Sequence, residues 1–559
     1  MKILFCTLHA KYVHSSLALP YLAAACADLP DTVFSILELT VNEQQDHLLA
    51  KLQAADADVV LFSCYIWNTD LTLRLASDLK QLSRGTFIVL GGPEVSFGSF
   101  ELMTQFPAID CIVRGEGEET CRGLLQALSH NAPLDHVAGI SFREADEIVA
   151  TPERSPIAEL DTVPSPFTAG LTDLSKPLVY YETSRGCPFS CAFCLSSIEK
   201  GVRSFSMQRI RSDLRLLLDR GAQTIKLVDR TFNYDAARAN GIWRFILDHQ
   251  GESRFHFEIA ADLLTDDNLA LLTRVPPDRF RFEIGVQSGG EETLAAVSRK
   301  SSLARLYDNV RRLKATTAIT VHLDLVAGLP GETLQGFLAS LQELFDLRPD
   351  HIQVEPLKVL KGTAMRAIAR KERYAYSATA PYKILRTPWL SYGEIRRIEG
   401  ISRLLDLIYN SGRFAATIEE LASHAPLAET FSAAAAFFEA EELAYNLSLP
   451  PLFDAFWRFC QSHATGGTRQ RLLDALCFDF CLLGYPGSNT PSFFATSPAD
   501  LQPGTRPAGL PAAARGERLR YYRRTFPRDY RPTPWKEEPT ILTFIYRSSP
   551  GNGLRVEVL

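Results

Sequence analysis

The chain of 559 residues is long enough for roughly three or four domains, and with 46% hydrophobic and 22% charged residues it can bury sizeable cores. Its net charge of −6 is small for this length and excludes a global attraction to nucleic acid or to acidic membranes. No apolar run reaches transmembrane length, and "MKILFCTLHAKYVHSS" begins as a strand without a signal peptide's apolar stretch, so a cytoplasmic protein is expected.

The first 130 residues alternate apolar runs with amphipathic stretches. "KILFCTL" (2–8), "FSILEL" (34–39), "DVVLFSC" (58–64), "FIVLGG" (87–92) and "DCIVRG" (110–115) read as buried strands, with helices over 17–28, 43–54 and 69–83 between them. Continuous apolar strands separated by helices predict a parallel sheet covered on both faces, a doubly wound Rossmann-like or flavodoxin-like domain. Ligands of such sheets bind at the carboxyl ends of the strands. There this chain places the glycines of "GGPEVSFG" (91–98) and "RGEGEET" (114–120).

Residues 130–177 are rich in Pro, Ser and Thr and read as an extension followed by a linker. A second alternation follows, with strands expected at 178–184, 224–229, 254–260, 279–287, 319–328 and 351–359. Helices fit at 206–220, 235–250, 265–274, 291–298, 303–315 and 334–347. Six βα units without a sheet reversal predict a partial parallel barrel. After about residue 370 the pattern turns mostly helical. A Pro-rich connector (486–513), an arginine-rich segment (515–531) and a terminal hairpin complete the chain. The predicted boundaries are 1–135, 136–177 for the extension and linker, 178–370, 371–485, and 486–559 for the tail.

"ETSRGCPFSCAFCLSS" (182–197) gathers Cys187, Cys191 and Cys194 just after the first strand of the second array. The other eight cysteines are scattered in apolar contexts and read as small hydrophobes, Cys477 and Cys481 among them. A zinc site would need a fourth ligand, and no second CxxC or paired His lies nearby. A Gly-Cys-Pro start does not read as core. Three thiolates on one iron–sulfur cubane leave one iron open.

"CPFSCAFC" resembles the signature of the radical S-adenosylmethionine superfamily. The resemblance implies a 4Fe-4S cluster on Cys187, Cys191 and Cys194, whose open iron chelates S-adenosylmethionine and whose electron releases a 5′-deoxyadenosyl radical. It implies Phe193 beside the adenine, Asp229 of "KLVDRTFN" at the methionine amino group and Asn233 behind it. Glu258 and Asp262 of "FEIAAD" would serve the ribose or sulfonium. Glu283, Gln287 and Ser288 of "FEIGVQSG" would serve ribose and methionine, and the turn at Gly328 of "DLVAGLPGET" would pass along the adenine. For each acidic residue, a surface or loop-capping role is the alternative.

A doubly wound domain ahead of such a barrel resembles the cobalamin-binding class of the superfamily. It implies a cobalamin site at Gly91, Gly92, Gly115, Glu116 and Gly117, where small side chains let backbone approach a corrin. His9 of "TLHAKY" stands where the class can carry a cobalt ligand, but Thr7 and Tyr12 replace the accompanying Asp and Gly, which favours cobalamin bound without a protein His. "KYVHSSLALPYLAA" and "DRTFN" are similar to the group with a C-terminal domain of unknown function, DUF4080. The implied enzyme methylates an unactivated carbon and takes electrons from a flavodoxin or ferredoxin type of donor. Its small-molecule or peptide substrate is not written in the sequence. Radical cyclisation or rearrangement, a tRNA methylthiotransferase and a non-catalytic sensor are the alternatives. Segment 515–531 reads as a solvated or packed surface piece ahead of a nucleic-acid site.

Overall fold

Strand β1 (Lys2–His9) is buried along six of its eight residues, and β3 (Val59–Ser63) along all five, as strands covered on both faces must be. With β2 (Val33–Thr40), β4 (Phe87–Gly91) and β5 (Cys111–Val113) they form a parallel sheet in the order 2-1-3-4-5. Alternate residues of β1 serve opposite layers. Leu4, Cys6 and Leu8 pack with Leu48, Leu52, Leu73 and Leu79 of α2 (Gln45–Ala54) and α3 (Thr69–Leu82). Ile3 and Phe5 pack with Leu19, Ala23, Leu124 and Leu125 of α1 (Ala18–Cys26) and α5 (Glu118–Ser129). Helix α4 (Ser99–Gln105) fills the remaining crossover. The segment expected to be an extension and linker adds β6 (Ile140–Glu144) and β7 (Glu147–Ala150) antiparallel to the edge of the same sheet.

The coordinates are a computed structural model that describes residues 1–559 apart from 146, 488, 495–516, 533, 550 and 551. The chain divides into two units, Met1–Glu332 with Pro356–Ser391, and Thr333–Glu355 with Tyr392–Leu559. The two βα arrays expected as separate domains, 1–135 and 178–370, thus share one unit across most of their length.

In that unit the second array supplies β8 (Leu178–Tyr181), a hairpin of β9 (Ser184–Cys187) and β10 (Gly201–Ser204), α6 (Met207–Asp219), β11 (Thr224–Leu227), α7 (Ala236–Asp248), β12 (Arg254–Ile259), α8 (Asp266–Leu272), β13 (Phe280–Gln287), α9 (Glu291–Ala296), α10 (Leu303–Thr316) and β14 (Thr320–Ala327). The long strand expected over 178–184 breaks after Tyr181, and the chain leaves the sheet into the hairpin. Strands β8, β11, β12, β13 and β14 are parallel neighbours in that order. Strands β12 and β13 turn their phenylalanines to the helices and their polar residues inward. Phe257 sits 4.7 Å from Phe232 and 5.1 Å from Phe280, ring centre to ring centre, and Trp243 stacks on Phe282 at 5.6 Å. After the break at Pro356 come the helix Met365–Lys371 and the short strands Ala375–Tyr376 and Ile384–Arg386.

The second unit holds helix Leu334–Asp346, all but the last residue of the sixth strand of the series, His351–Pro356, and five helices between Tyr392 and Leu483. Its arginine-rich segment is a strand, Arg518–Phe526, paired with Thr540–Ser549, which pairs in turn with Asn552–Val558. Tyr522 and Phe526 are buried and Arg528 binds Glu420 at 2.6 Å, so this segment is a packed part of the unit. Most of the predicted connector (486–513) lies outside the described residues. Among the described residues no helix is long and apolar enough to cross a membrane.

Phe257→Ala removes a fully buried ring from the aromatic shell and should destabilise the first unit by about 3–5 kcal/mol, as large-to-small changes of buried aromatics do. Thermal or denaturant unfolding measures this, and a loss below about 1 kcal/mol would contradict the packing described.

Candidate active site

The cysteine segment starts from a buried anchor. Asp229, fully buried at the end of β11, accepts hydrogen bonds from the Thr183 amide (3.0 Å) and from the hydroxyls of Thr183 and Ser184. Gly186 has φ +88°, and a Cβ there would stand 2.2 Å from the Gly201 carbonyl, so only glycine lets the hairpin close before Cys187. Beyond it, Ala192 donates to the Val297 carbonyl and accepts from the Met365 amide, both at 2.8 Å, which pins the middle of the loop.

Cys187, Cys191 and Cys194 are free thiols lining one cavity of about 160 Å³ with Phe189, Phe193, Thr231, Glu283, Gln287 and Asp324. Arg299 points Nη1 at Cys191 Sγ (3.7 Å), donates Nη2 to the Gly285 carbonyl (2.9 Å) and lies over the Phe189 ring. Burial raises the Cys191 thiol, and Arg299 works against that rise. Among the described residues no three His, Cys, Asp or Glu side chains converge as ligands of one metal ion. Three thiols spread around one cavity fit a cubane, whose three thiolates each take a different iron. A guanidinium facing the sulfur suits a thiolate ligand.

Below the cysteines the strands carry paired charges. Lys226 lies 3.0 Å from Glu283 and 3.7 Å from Glu258; His256 lies 2.8 Å from Glu283, and His322 lies 3.0 Å from Asp324. Burial alone would raise Glu283, but His256 and Lys226 overcome it and hold the carboxyl far below the usual range. Burial wins at Glu258 and Asp324 and raises both, against Arg230 and His322 respectively. Charges removed from water persist only with such partners.

A second cavity, of about 770 Å³, opens at the carboxyl ends of β1, β3, β4 and β5. Gly91, Gly92, Gly115, Glu116 and Gly117 line it, together with Thr7, His9, Ser63, Tyr65 and Trp67. Gly92 has φ +107°, and a Cβ would meet the Cys64 carbonyl at 2.5 Å; at Gly117 it would meet Leu22 at 2.8 Å. This floor of bare backbone is a cradle in which a large planar ring fits. On the opposite wall stand Tyr180, Arg185, Lys226, Arg230 and Glu258 of the second array. Arg230 and Glu258 line both cavities and so mark where the two meet.

The expected site residues separate into two groups. The three cysteines, Phe193, Glu258, Glu283, Gln287 and the five residues of the glycine turns face a cavity, and His9 does so while its Nε2 is engaged by Glu38 at 3.0 Å. Asp229, Asn233, Asp262, Ser288 and Gly328 do not line either cavity; they brace its walls. Asn233 exchanges hydrogen bonds with the Ala260 backbone at 2.8 and 2.9 Å. Asp262 accepts from the Ser301 hydroxyl and the Ser302 amide at the start of α10. Ser288 donates to Glu332 at 2.9 Å, and the Gly328 amide donates to the other oxygen of Glu332 at 3.0 Å. The residues missed are Arg185, Lys226, Arg230, Thr231, Arg299 and Asp324. For some a signal existed: "TIKL", "RFHFEI" and "TVHLDL" alternate charged with apolar residues, which a strand apolar on both faces does not do.

Comparison with known proteins agrees with this geometry. Residues 3–125 match the B12 binding domain and residues 181–344 the radical SAM superfamily. The chain therefore carries a B12 binding domain and a radical SAM domain. Residues 371–503 match DUF4080, a protein of unknown function. It is 25% identical over 369 residues to the cobalamin-dependent radical SAM methyltransferase TokK of Streptomyces tokunonensis, covering 63% of this chain and 53% of TokK. It is 36% identical over 174 residues to the uncharacterized methyltransferase PH0819 of Pyrococcus horikoshii, covering 30% of this chain and 38% of that protein. The chain thus spans about half, or less, of the length of these curated relatives. Among solved structures, OxsB with aqua-cobalamin and S-adenosylmethionine bound superposes with a TM-score of 0.60 at 16% identity, covering 86% of this chain and 78% of OxsB. TsrM from Kitasatospora setae, with cobalamin and a [4Fe-4S] cluster, gives 0.56 at 18% identity, covering 68% of this chain and 76% of TsrM. These two show the shared fold.

Burial pushes the Glu332 carboxyl up to about 7, against the hydrogen bonds from Gly328 and Ser288. The folded state then keeps a proton that the unfolded chain releases from about pH 4.5 upward, so stability is highest below that value and falls as pH rises through about 7. Thermal unfolding followed from pH 5 to 8 should show wild type losing stability relative to Glu332→Gln across this window; parallel profiles would contradict it.

Proposed function

We propose that this chain is an enzyme that cleaves S-adenosylmethionine reductively and methylates an unactivated carbon of its substrate. The observation that carries the reading is the meeting of the two cavities at Arg230 and Glu258, one walled by three thiols and the other floored by glycine backbone. When bound, the cluster on Cys187, Cys191 and Cys194 supplies the electron that breaks the sulfonium, and the corrinoid over the glycine turns supplies the methyl carrier.

The chain's own residues position and exclude. Phe193, Glu258, Glu283, Gln287 and Asp324 surround the space beside the thiols where S-adenosylmethionine would lie. Asp229 and Gly186 fix the hairpin that presents the cysteines, and Arg299 keeps positive charge against Cys191. His9, already bound to Glu38, borders the corrinoid cavity as a wall residue, which supports cobalamin held without a protein His. The substrate binds at the junction, between Arg230, Glu258 and Tyr180. A flavodoxin or ferredoxin type of protein provides electrons, and the reducing cytoplasm keeps the thiols free.

A methylthiotransferase needs a second cluster on N-terminal cysteines. Cys6, Cys26, Cys64, Cys111 and Cys121 are all buried within the core, and burial raises every one of these thiols, which speaks against that role.

Anaerobic reconstitution with iron and sulfide should give cluster absorbance, and dithionite with S-adenosylmethionine should give 5′-deoxyadenosine. Replacing Cys187, Cys191 and Cys194 together by Ala should abolish both, while protein grown with cobalamin still binds it. A triple variant that retains the cluster would overturn the ligand assignment. Wild type that cleaves no S-adenosylmethionine, even with cell extract as substrate source, would favour a sensor.

A further inference from the structure

Across the hairpin of β9 and β10, Arg185 stands directly opposite Arg203, one pair beyond Gly186 and two before Cys187. Like charges in direct register on two antiparallel strands repel each other and loosen the hairpin. What offsets the repulsion comes from the N-terminal sheet. Glu116, in the middle of the glycine turn that floors the large cavity, accepts from Arg203 Nη2 (2.8 Å) and Nη1 (3.1 Å) and from Arg185 Nη1 (3.2 Å). Its remaining contact is the Ile157 amide at 2.7 Å. Arg185 also reaches Glu118 and Glu182, and Arg203 reaches Glu199 at 2.7 Å. The side chains of Arg185, Glu116, Glu118 and Glu182 are all less than 15% exposed, so water screens them little.

The other glycine turn is tied in the same manner. Glu94, two residues after Gly92 and 3% exposed, accepts from the Tyr382 hydroxyl and from Lys361 Nζ at 2.9 Å. A Cβ on Gly362 would strike the Phe97 ring at 2.6 Å, so the backbone of this segment lies hard against the turn. Both glycine turns therefore carry a carboxylate held by side chains of the second array.

We propose that Glu116 is a positioning residue that couples the two cofactor sites, making the glycine turn Gly115–Gly117 and the hairpin that presents Cys187 one mechanical body. The inference rests on the reading that the hairpin holds the cluster and the turn holds cobalamin. Binding at one site then changes affinity and geometry at the other, by equal factors in both directions.

The test titrates hydroxocobalamin by absorbance into wild type with its cluster reconstituted and into the Cys187→Ser, Cys191→Ser, Cys194→Ser protein without one. The expected difference in Kd is about tenfold, within the usual range of coupling between sites. Reciprocally, the EPR spectrum of the reduced cluster should change when cobalamin is added. In Glu116→Gln both effects should collapse: equal Kd with and without the cluster, and an EPR spectrum indifferent to cobalamin. Glu116→Asp keeps the charge and should restore part of each, which also serves if Glu116→Gln fails to fold. Glu119→Gln, on the same helix start but paired with Arg154, should behave as wild type. Equal wild-type affinities with and without the cluster would overturn the coupling alone, as would wild-type behaviour in both Glu116 variants. Wild type that binds no cobalamin overturns the functional reading and the coupling with it.

Discussion

A guanidinium withdrawn from water has to be met by carboxylates, and Arg185 meets three of them, two from the other sheet. Much else about the first unit follows from that requirement. The hairpin that carries Cys187 cannot shift without stranding the charge, and leaving one partner of a buried pair alone is far costlier than the pair itself is stabilising. The glycine turn cannot shift either, because Glu116 holds both arginines of the hairpin. Two sheets that could each fold around their own helices are in this way registered to each other at the point where their ligands would meet.

Inside the second array the same logic repeats on a smaller scale. Lys226 answers Glu283 and Glu258 together; His256 with Lys226 depresses Glu283 while burial elevates Glu258, so neighbouring carboxyls in register have opposite tendencies to ionise.

The sequence made the thiol loop legible because three cysteines at fixed spacing admit few chemistries, and made the parallel sheets legible because strands buried on both faces are apolar throughout. It placed Glu258, Glu283 and Gln287 at the cavity because they lie on strands whose alternation fixes which side they face. Asp229, Asn233, Asp262 and Ser288 lie just past strand ends, where alternation stops and orientation depends on which backbone amide is nearest. A carboxylate saturated by Thr183 and Ser184 looks in sequence like one aimed at a ligand. The interdomain arginines were invisible for a related reason: "SRGC" gives no hint that its Arg is answered by "GEGEE" 67 residues earlier. The arginine-rich tail was readable only as a composition, until its pairing with Thr540–Ser549 showed a strand.

The aromatic shell around the second sheet has a consequence for how such a protein diversifies. Stability there resides in Phe257 and Phe282 on the outward face, packed against Phe232 and Trp243, while the inward face holds charges whose burial contributes little net stability or opposes folding. Substitutions at the inward positions can accordingly exchange one set of ligand contacts for another at small risk to the fold, provided charges stay matched. The outward positions are held by packing and the inward ones by chemistry, so the two can evolve on separate schedules.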